Sequence, residues 1–257
     1  MNHKFVLAAL AAAAFSSPAF AQDGDAGWSI TITPRYQHLL FLPDTEADGL
    51  ETMPSYGATV TARDPSSRIG FTGTYIRGKA VGIYTYDDGG FTGDYDYSAK
   101  REEAALQVEF TPSETGVTLL AGYHRFASSN NEVLINPGPG RGEVGRYKQS
   151  IDAAEIGLRI ASRLGANSRH SVSAQFMAGI GKGNYKANVV ETFGGVPTTS
   201  VKDESGTGYL GDIALGYNYF ISDNISVGTR ARGYVFHVDG GDVLFAAAPE
   251  INMSFRF

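Results

Sequence analysis

From Trp28 to Phe257 the chain repeats one unit: a segment of about ten residues in which apolar and polar side chains alternate, the length of a tilted membrane strand. The unit recurs ten times. A period of two marks a strand with one face in an apolar medium and the other in a polar one. Ile30, Ile32 and Tyr36 belong to the first segment; Leu106, Val108 and Phe110 to the fourth; Ile156, Leu158 and Ile160 to the sixth; Leu215, Tyr217 and Tyr219 to the eighth. The last segment, INMSFRF, places Ile251, Met253, Phe255 and Phe257 on one parity and runs to the final residue. Chain ends usually fray, so an alternating aromatic end implies a strand with a fixed neighbour.

The connections alternate in length as well. Asp64 to Ser67, Thr111 to Thr115, Ser162 to Arg169 and Ile221 to Asn224 are short and rich in Asp, Pro, Ser and Asn, residues that set tight turns through a fixed φ or bonds to their own backbone. Leu42 to Met53, Arg77 to Ala99, Ala127 to Lys148 and Lys182 to Gly206 read as long, polar, glycine-containing loops, and only Asp239 to Val243 breaks the rule. Short turns on one side and long loops on the other is the plan of a bacterial outer-membrane barrel. The expected fold is all-β: a closed antiparallel up-and-down transmembrane β-barrel of ten strands, with eight or twelve as the alternative counts. An even number puts both termini in the periplasm, and closure removes the edges that lipid cannot satisfy. A soluble β-sandwich also alternates, but it gives no reason for aromatics such as Trp28, Tyr36, Phe110, Tyr123 and Phe257 to gather at segment ends.

Residues 1–21 read as a secretory signal, with Lys4, the apolar run Phe5 to Phe15, and Ala19-Phe20-Ala21 as the cleavage pattern. Residues 22–257 then form a single barrel domain. That apolar run is too short for a membrane-spanning helix, and no later stretch approaches the roughly 18 apolar residues one needs. With no cysteine, no disulfide or cysteine-based metal site is available. A net charge of -6 argues against nucleic acid as a partner.

Ala214 to Phe236, ALGYNYFISDNISVGTRARGYVF, resembles a hairpin common in small bacterial outer-membrane β-barrel proteins, a porin-like class of Gram-negative envelopes. Ile251, Met253, Phe255 and Phe257 are similar to the terminal strand by which the barrel-assembly machinery recognises its clients. The resemblance implies an outer-membrane location, and outer-membrane lipid, lipopolysaccharide and that machinery as partners. It implies no cofactor.

The opposite parity collects Arg35, Arg63, Glu103, Glu109, His124, Glu155, Arg159, Asp212, Arg230, Arg232, Glu250 and Arg256. Arginine forks suit networks in a confined, partly dry space. Folding the last hairpins predicts a ladder Asp212, Arg232, Glu250, Arg35 across the closure, and a pair between His124 and Glu155. Small barrels are filled by their own side chains, so a plugged lumen is expected. The same parity holds Gly70, Gly122, Gly157, Gly179, Gly181, Gly216 and Gly228, which either make room for arginines or line a narrow water path.

Three chemistries are conceivable at the mouth. Asp94 and Asp96, facing His237 and Asp239, are loosely similar to the groups of omptins, ten-stranded surface proteases, although the order of the His and Asp differs. His124 and Ser128 bear a weaker likeness to the pair of lipid A deacylases. Asp87, Asp88, Asp94 and Asp96 have oxygens for calcium, but a solvated acidic loop accounts for them, and no metal is expected. Arg77 and Lys79 could meet lipopolysaccharide phosphates. The tyrosine-rich stretch YTYDDGGFTGDYDY suits recognition of an extracellular ligand. The role read from the sequence is envelope structure or surface interaction, with a narrow channel and a surface hydrolase as alternatives.

Overall fold

Every alternating segment folds as a strand, because alternation gives each one an apolar face for one environment and a polar face for the other. The computed structural model describes residues 27–41, 52–64, 66–87, 92–112, 116–137, 139–164, 169–239 and 243–257. The candidate signal, Asp88 and most of the first long connection lie outside them. The strands are β1 (Ser29–Phe41), β2 (Thr52–Asp64), β3 (Ile69–Asp87), β4 (Thr92–Phe110), β5 (Val117–Ile135), β6 (Arg141–Leu164), β7 (His170–Phe193), β8 (Val196–Phe220), β9 (Ile225–Val238) and β10 (Leu244–Arg256). They close into one antiparallel ring in chain order, with β1 pairing β10.

Phe257 takes part in that closure. Its backbone N–H donates to Ile30 O at 2.8 Å, and its carbonyl accepts from Ile30 N at 3.1 Å. The chain therefore ends inside the ladder, next to the start of β1 and at the same end of the barrel as the short turns. One of those turns is fixed by Asp64, whose Oδ1 accepts from Ser66 N at 2.9 Å and Ser66 Oγ at 2.7 Å. These bonds from Ser66 and Ser67 hold its carboxyl below the usual range.

Three of the stretches read as long loops at the other end are mostly strand where they are described. β3 and β4 stay paired as far as Asp87↔Thr92, β5 and β6 as far as Val133↔Val144, and β7 and β8 as far as Phe193↔Val196. Gly194 and Gly195, with φ of 59° and 80°, make the two-residue turn that joins the last pair. Two successive positive φ values match the twist of the flanking strands. The result is an uneven rim. β3 to β8 have 19 to 25 residues, while β9, β10, β1 and β2 have 13 or 14.

The outer surface carries an exposed apolar band. On β7 it runs from Val172 through Phe176 to Ile180, about 20 Å of depth at a strand tilt of about 40°. Tyrosines bound the band: Tyr75 donates to Glu102 at 3.0 Å on the hairpin side, and Tyr217 bonds His170 at 2.8 Å on the turn side. An apolar belt with aromatic edges is the pattern of a lipid-facing barrel wall.

Candidate functional site

The lumen has two layers. On the turn side it is polar and charged. Arg35 Nη1 donates to Glu250 at 3.0 Å, and Gln37 donates to the other oxygen at 2.7 Å. Arg232 pairs with Asp212 and spans the lumen to Glu103 at 3.2 Å, while Arg101 closes on Glu103 from β4. His124 lies between Glu155, 3.0 Å from Nδ1, and Glu103, 3.3 Å from Nε2. Arg159 and Arg63 both bind Glu109, each at 2.6 Å. A polar cavity of about 100 Å³ lies among these groups, with Arg230, Arg35 and Thr74 on its wall.

The ladder expected from the sequence is interrupted in the middle. Asp212 contacts Arg232, and Glu250 contacts Arg35, but Arg232 turns across the lumen to Glu103 instead of along the wall to Glu250. The register places Glu250 opposite Arg230 and Ala248 opposite Arg232. Arg101 and Glu103 complete the network from the far side. Arg101 was absent from the inward set because it lies just past the end of Arg77 to Ala99, a stretch that reads as loop.

Above the charged layer the lumen is apolar. Leu39, Met53, Phe126, Ile151, Leu210 and Phe236 pack into one buried cluster, with the Phe126 and Phe236 rings stacked at 4.1 Å. The filled lumen therefore consists of a charged, ion-paired floor under an apolar plug. The glycines divide: a Cβ on Gly157 would come within 2.1 Å of Phe176 O, and one on Gly181 within 1.9 Å of Asp152 O. At these two positions the missing side chain lets a neighbouring backbone approach, while Gly70 and Gly216 lie beside Arg63 and Arg230.

Among the described residues, the mouth brings no hydrolytic set together. Asp94 and Asp96 point outward from β4, the first bonded to Thr85 at 2.7 Å. His237 points outward from β9, stacked on Tyr209, with Asp239 4.0 Å away and bonded to Thr207 N. β4 and β9 stand on opposite sides of the ring, so the two pairs face away from each other. His124 is held by two carboxylates beneath Phe126 and does not engage Ser128. Among the described residues, no group of acidic or histidine side chains could hold a metal ion.

A different constellation forms on the inner face of the tall wall, above the plug. Tyr84 stacks on Tyr95 at 5.3 Å, and Tyr95 donates to Glu143 at 2.6 Å from two strands away. Side chains two strands apart can meet only where the face is concave. Glu143 is directly opposite Glu191, and Tyr185 opposite Glu204. Burial and the carboxylates of Glu132 and Glu143 push the Tyr147 hydroxyl up to about 12. Burial and the Glu143 bond push Tyr95 up as well. The outer face of the same wall is basic, with Lys79 opposite Lys100 and Lys148 opposite Lys186.

No protein-family model matches the chain, and no curated protein resembles it in sequence. Among solved structures it is similar to the outer membrane protease OmpT from Escherichia coli, at 13% identity and a TM-score of 0.53 over 90% of this chain and 95% of that one. It also matches the translocator domain of the autotransporter NalP from Neisseria meningitidis at 10% identity, over 99% of this chain and 95% of that one. The TM-score with the NalP domain is 0.48. The likeness to OmpT is one of fold: the chain has the fold of a bacterial outer-membrane β-barrel.

Proposed function

We propose that this protein is an outer-membrane barrel with a closed lumen, and that it acts through the wall it raises outside the cell. The observation that carries this reading is the plug: Phe126 and Phe236 are each no more than 2% exposed and seal the space above the charged floor. A wet pore needs a continuous polar path, and ten strands leave little room for one once large side chains point inward. The charged layer below then serves stability, because each buried carboxylate meets an arginine or histidine. Both termini and the short turns lie in the periplasm.

The basic outer wall supports a second contact, with lipopolysaccharide. Arg77, Lys79, Lys100, Arg125 and Lys182 follow the apolar residues of β3, β4, β5 and β7 at the upper edge of the band. That is the depth of headgroup phosphates. Planar-bilayer recording tests the closed lumen. The wild-type protein should give a flat baseline, and Phe126→Ala with Phe236→Ala should give conductance steps. Steps from the wild type would favour the narrow-channel alternative.

A further inference from the structure

We infer that the polar cavity below the plug binds a small inorganic oxyanion of the phosphate or sulfate kind, held by Arg230 and Arg35. Such a site is independent of what the tall wall does, and it gives the charged layer a role besides stability.

Arg230 is the cation that the network leaves over. The register sets it directly opposite Glu250 on β10, the carboxylate it would ordinarily pair with. Both oxygens of Glu250 are already taken, one by Arg35 at 3.0 Å and the other by Gln37 at 2.7 Å. Asp212 is bound by Arg232, Glu103 by Arg232 and Arg101, and Glu109 by Arg63 and Arg159. His124 occupies Glu155. Six arginines thus face five carboxylates in this layer, a cation in excess even before His124 is counted. Among the described residues Arg230 makes no hydrogen bond or ion pair, although the ring encloses it and its remaining exposure is toward the cavity it lines. A confined guanidinium without a counter-charge is costly, and an anion in the cavity removes the cost.

Arg35 supplies an independent sign of the same ligand. Its Nη1 reaches Glu250, but its Nε is buried with no hydrogen-bond partner among the described residues. A buried donor without an acceptor calls for a bound water or ion, and Arg35 lines the same cavity as Arg230. The acids on that wall do not compete, since Glu103, Glu155 and Asp212 are each engaged by an arginine or by His124.

The donors suit an oxyanion better than a halide. Guanidinium forks hold phosphate or sulfate oxygens two at a time. Thr59 and Thr74, whose hydroxyls lie 2.9 Å apart on the same wall, can turn to donate or accept. The size excludes anything larger. About 100 Å³ is room for about three waters at roughly 30 Å³ each, far below the roughly 300–1,000 Å³ of a site for an organic ligand. Entry is from the turn side: Phe126 and Phe236 close the lumen above, while Arg63 and Arg159 keep 38% and 28% of their side chains exposed. Arginines at the open end draw an anion inward.

The test uses the full-length protein in nanodiscs of zwitterionic lipid, dialysed to equilibrium against radiolabelled inorganic phosphate. Binding should saturate at one phosphate per barrel, sulfate should displace it, and chloride at the same ionic strength should compete at least tenfold less well. Arg230→Gln should weaken binding at least tenfold. Arg146→Gln, which removes the same charge from an exposed position on β6, should change it less than twofold. Urea midpoints in phosphate-free buffer separate a ligand-binding arginine from a structural one: Arg230→Gln should match or exceed the wild type there, because the residue has no partner to lose. Absence of saturable binding, equal losses in the two variants, or chloride as effective as phosphate would overturn the inference. So would an Arg230→Gln barrel that fails to fold, or that unfolds at lower urea in phosphate-free buffer, since Arg230 would then serve the fold. Dialysis reaches both ends of the barrel, so none of these results depends on whether the plug seals it.

Discussion

Two arcs of the same ring have been built to different heights. β9, β10, β1 and β2 stop after 13 or 14 residues, close to the roughly nine to eleven that a tilted strand needs to cross lipid. β6, β7 and β8 run to 24 or 25. Crossing the membrane explains the short arc almost completely and the tall arc only by half. The extra length is paired, with Lys79, Lys100, Lys148 and Lys186 among its outward residues and tyrosines and glutamates among its inward ones. Length that the membrane does not require, with chemistry that stability does not favour, is where function should be sought.

The comparison can be attacked first below the plug, where both arcs share one network. Arg232 on the short arc binds Asp212 and Glu103 on the tall one. Arg232→Met strands the buried Asp212 carboxylate and removes one of the cations on Glu103, and should cost about 3–5 kcal/mol, seen as a lower urea midpoint for the loss of heat-modifiable mobility. A midpoint within error of the wild type would mean that the two arcs are not tied there. Phe126→Ala in the plug should cost a comparable or smaller amount, about 3 kcal/mol, through lost contact and a cavity. If it also opens conductance, the seal is as local as the stacked Phe pair implies.

Shortening the tall arc should have the opposite outcome. Removing residues 188–201, between the paired Ala187 and Lys202, and closing the hairpin with Asn-Gly should leave the barrel's urea midpoint nearly unchanged. A collapse of the whole barrel would show that the wall supports the fold. The smallest effect concerns pH. The Tyr147 pKa is raised from 10 to about 12, so its contribution is fully present below pH 10 and is lost as pH rises to about 12. Hydrogen exchange in the upper parts of β5 and β6 should quicken over that window, and less so in Tyr147→Phe. A variant with the same profile would remove Tyr147 as the cause.

The short arc and the lower wall were legible in the sequence because lipid imposes a simple rule. Ile251, Met253, Phe255 and Phe257 alternate since one face must be apolar, and the closure follows from the last residue. Two things were hidden. Phe126, Ile151 and Phe236 are apolar residues on the lumen parity, and alternation cannot tell a plug from a gap in the pattern. Above the membrane neither face must be apolar, so Arg77 to Ala99 and Lys182 to Gly206 lose the signal and read as loops while remaining strand. The Glu143–Glu191 pair needed the register of β6 on β7, a ladder that begins at Leu164↔His170. The same lack of register made Asp94 and Asp96 seem able to meet His237 and Asp239, which the parity of β4 and β9 forbids.

The absence of cysteine from the chain allows a direct test of which arc end lies outside the cell. Ser200→Cys at the top of the tall wall and Ser66→Cys in a short turn can each be exposed to a membrane-impermeant maleimide on intact cells. The account predicts labelling of the first at once, and of the second only after the outer membrane is opened. Labelling of Ser66→Cys on intact cells, with Ser200→Cys protected, would place the tall wall in the periplasm and contradict it.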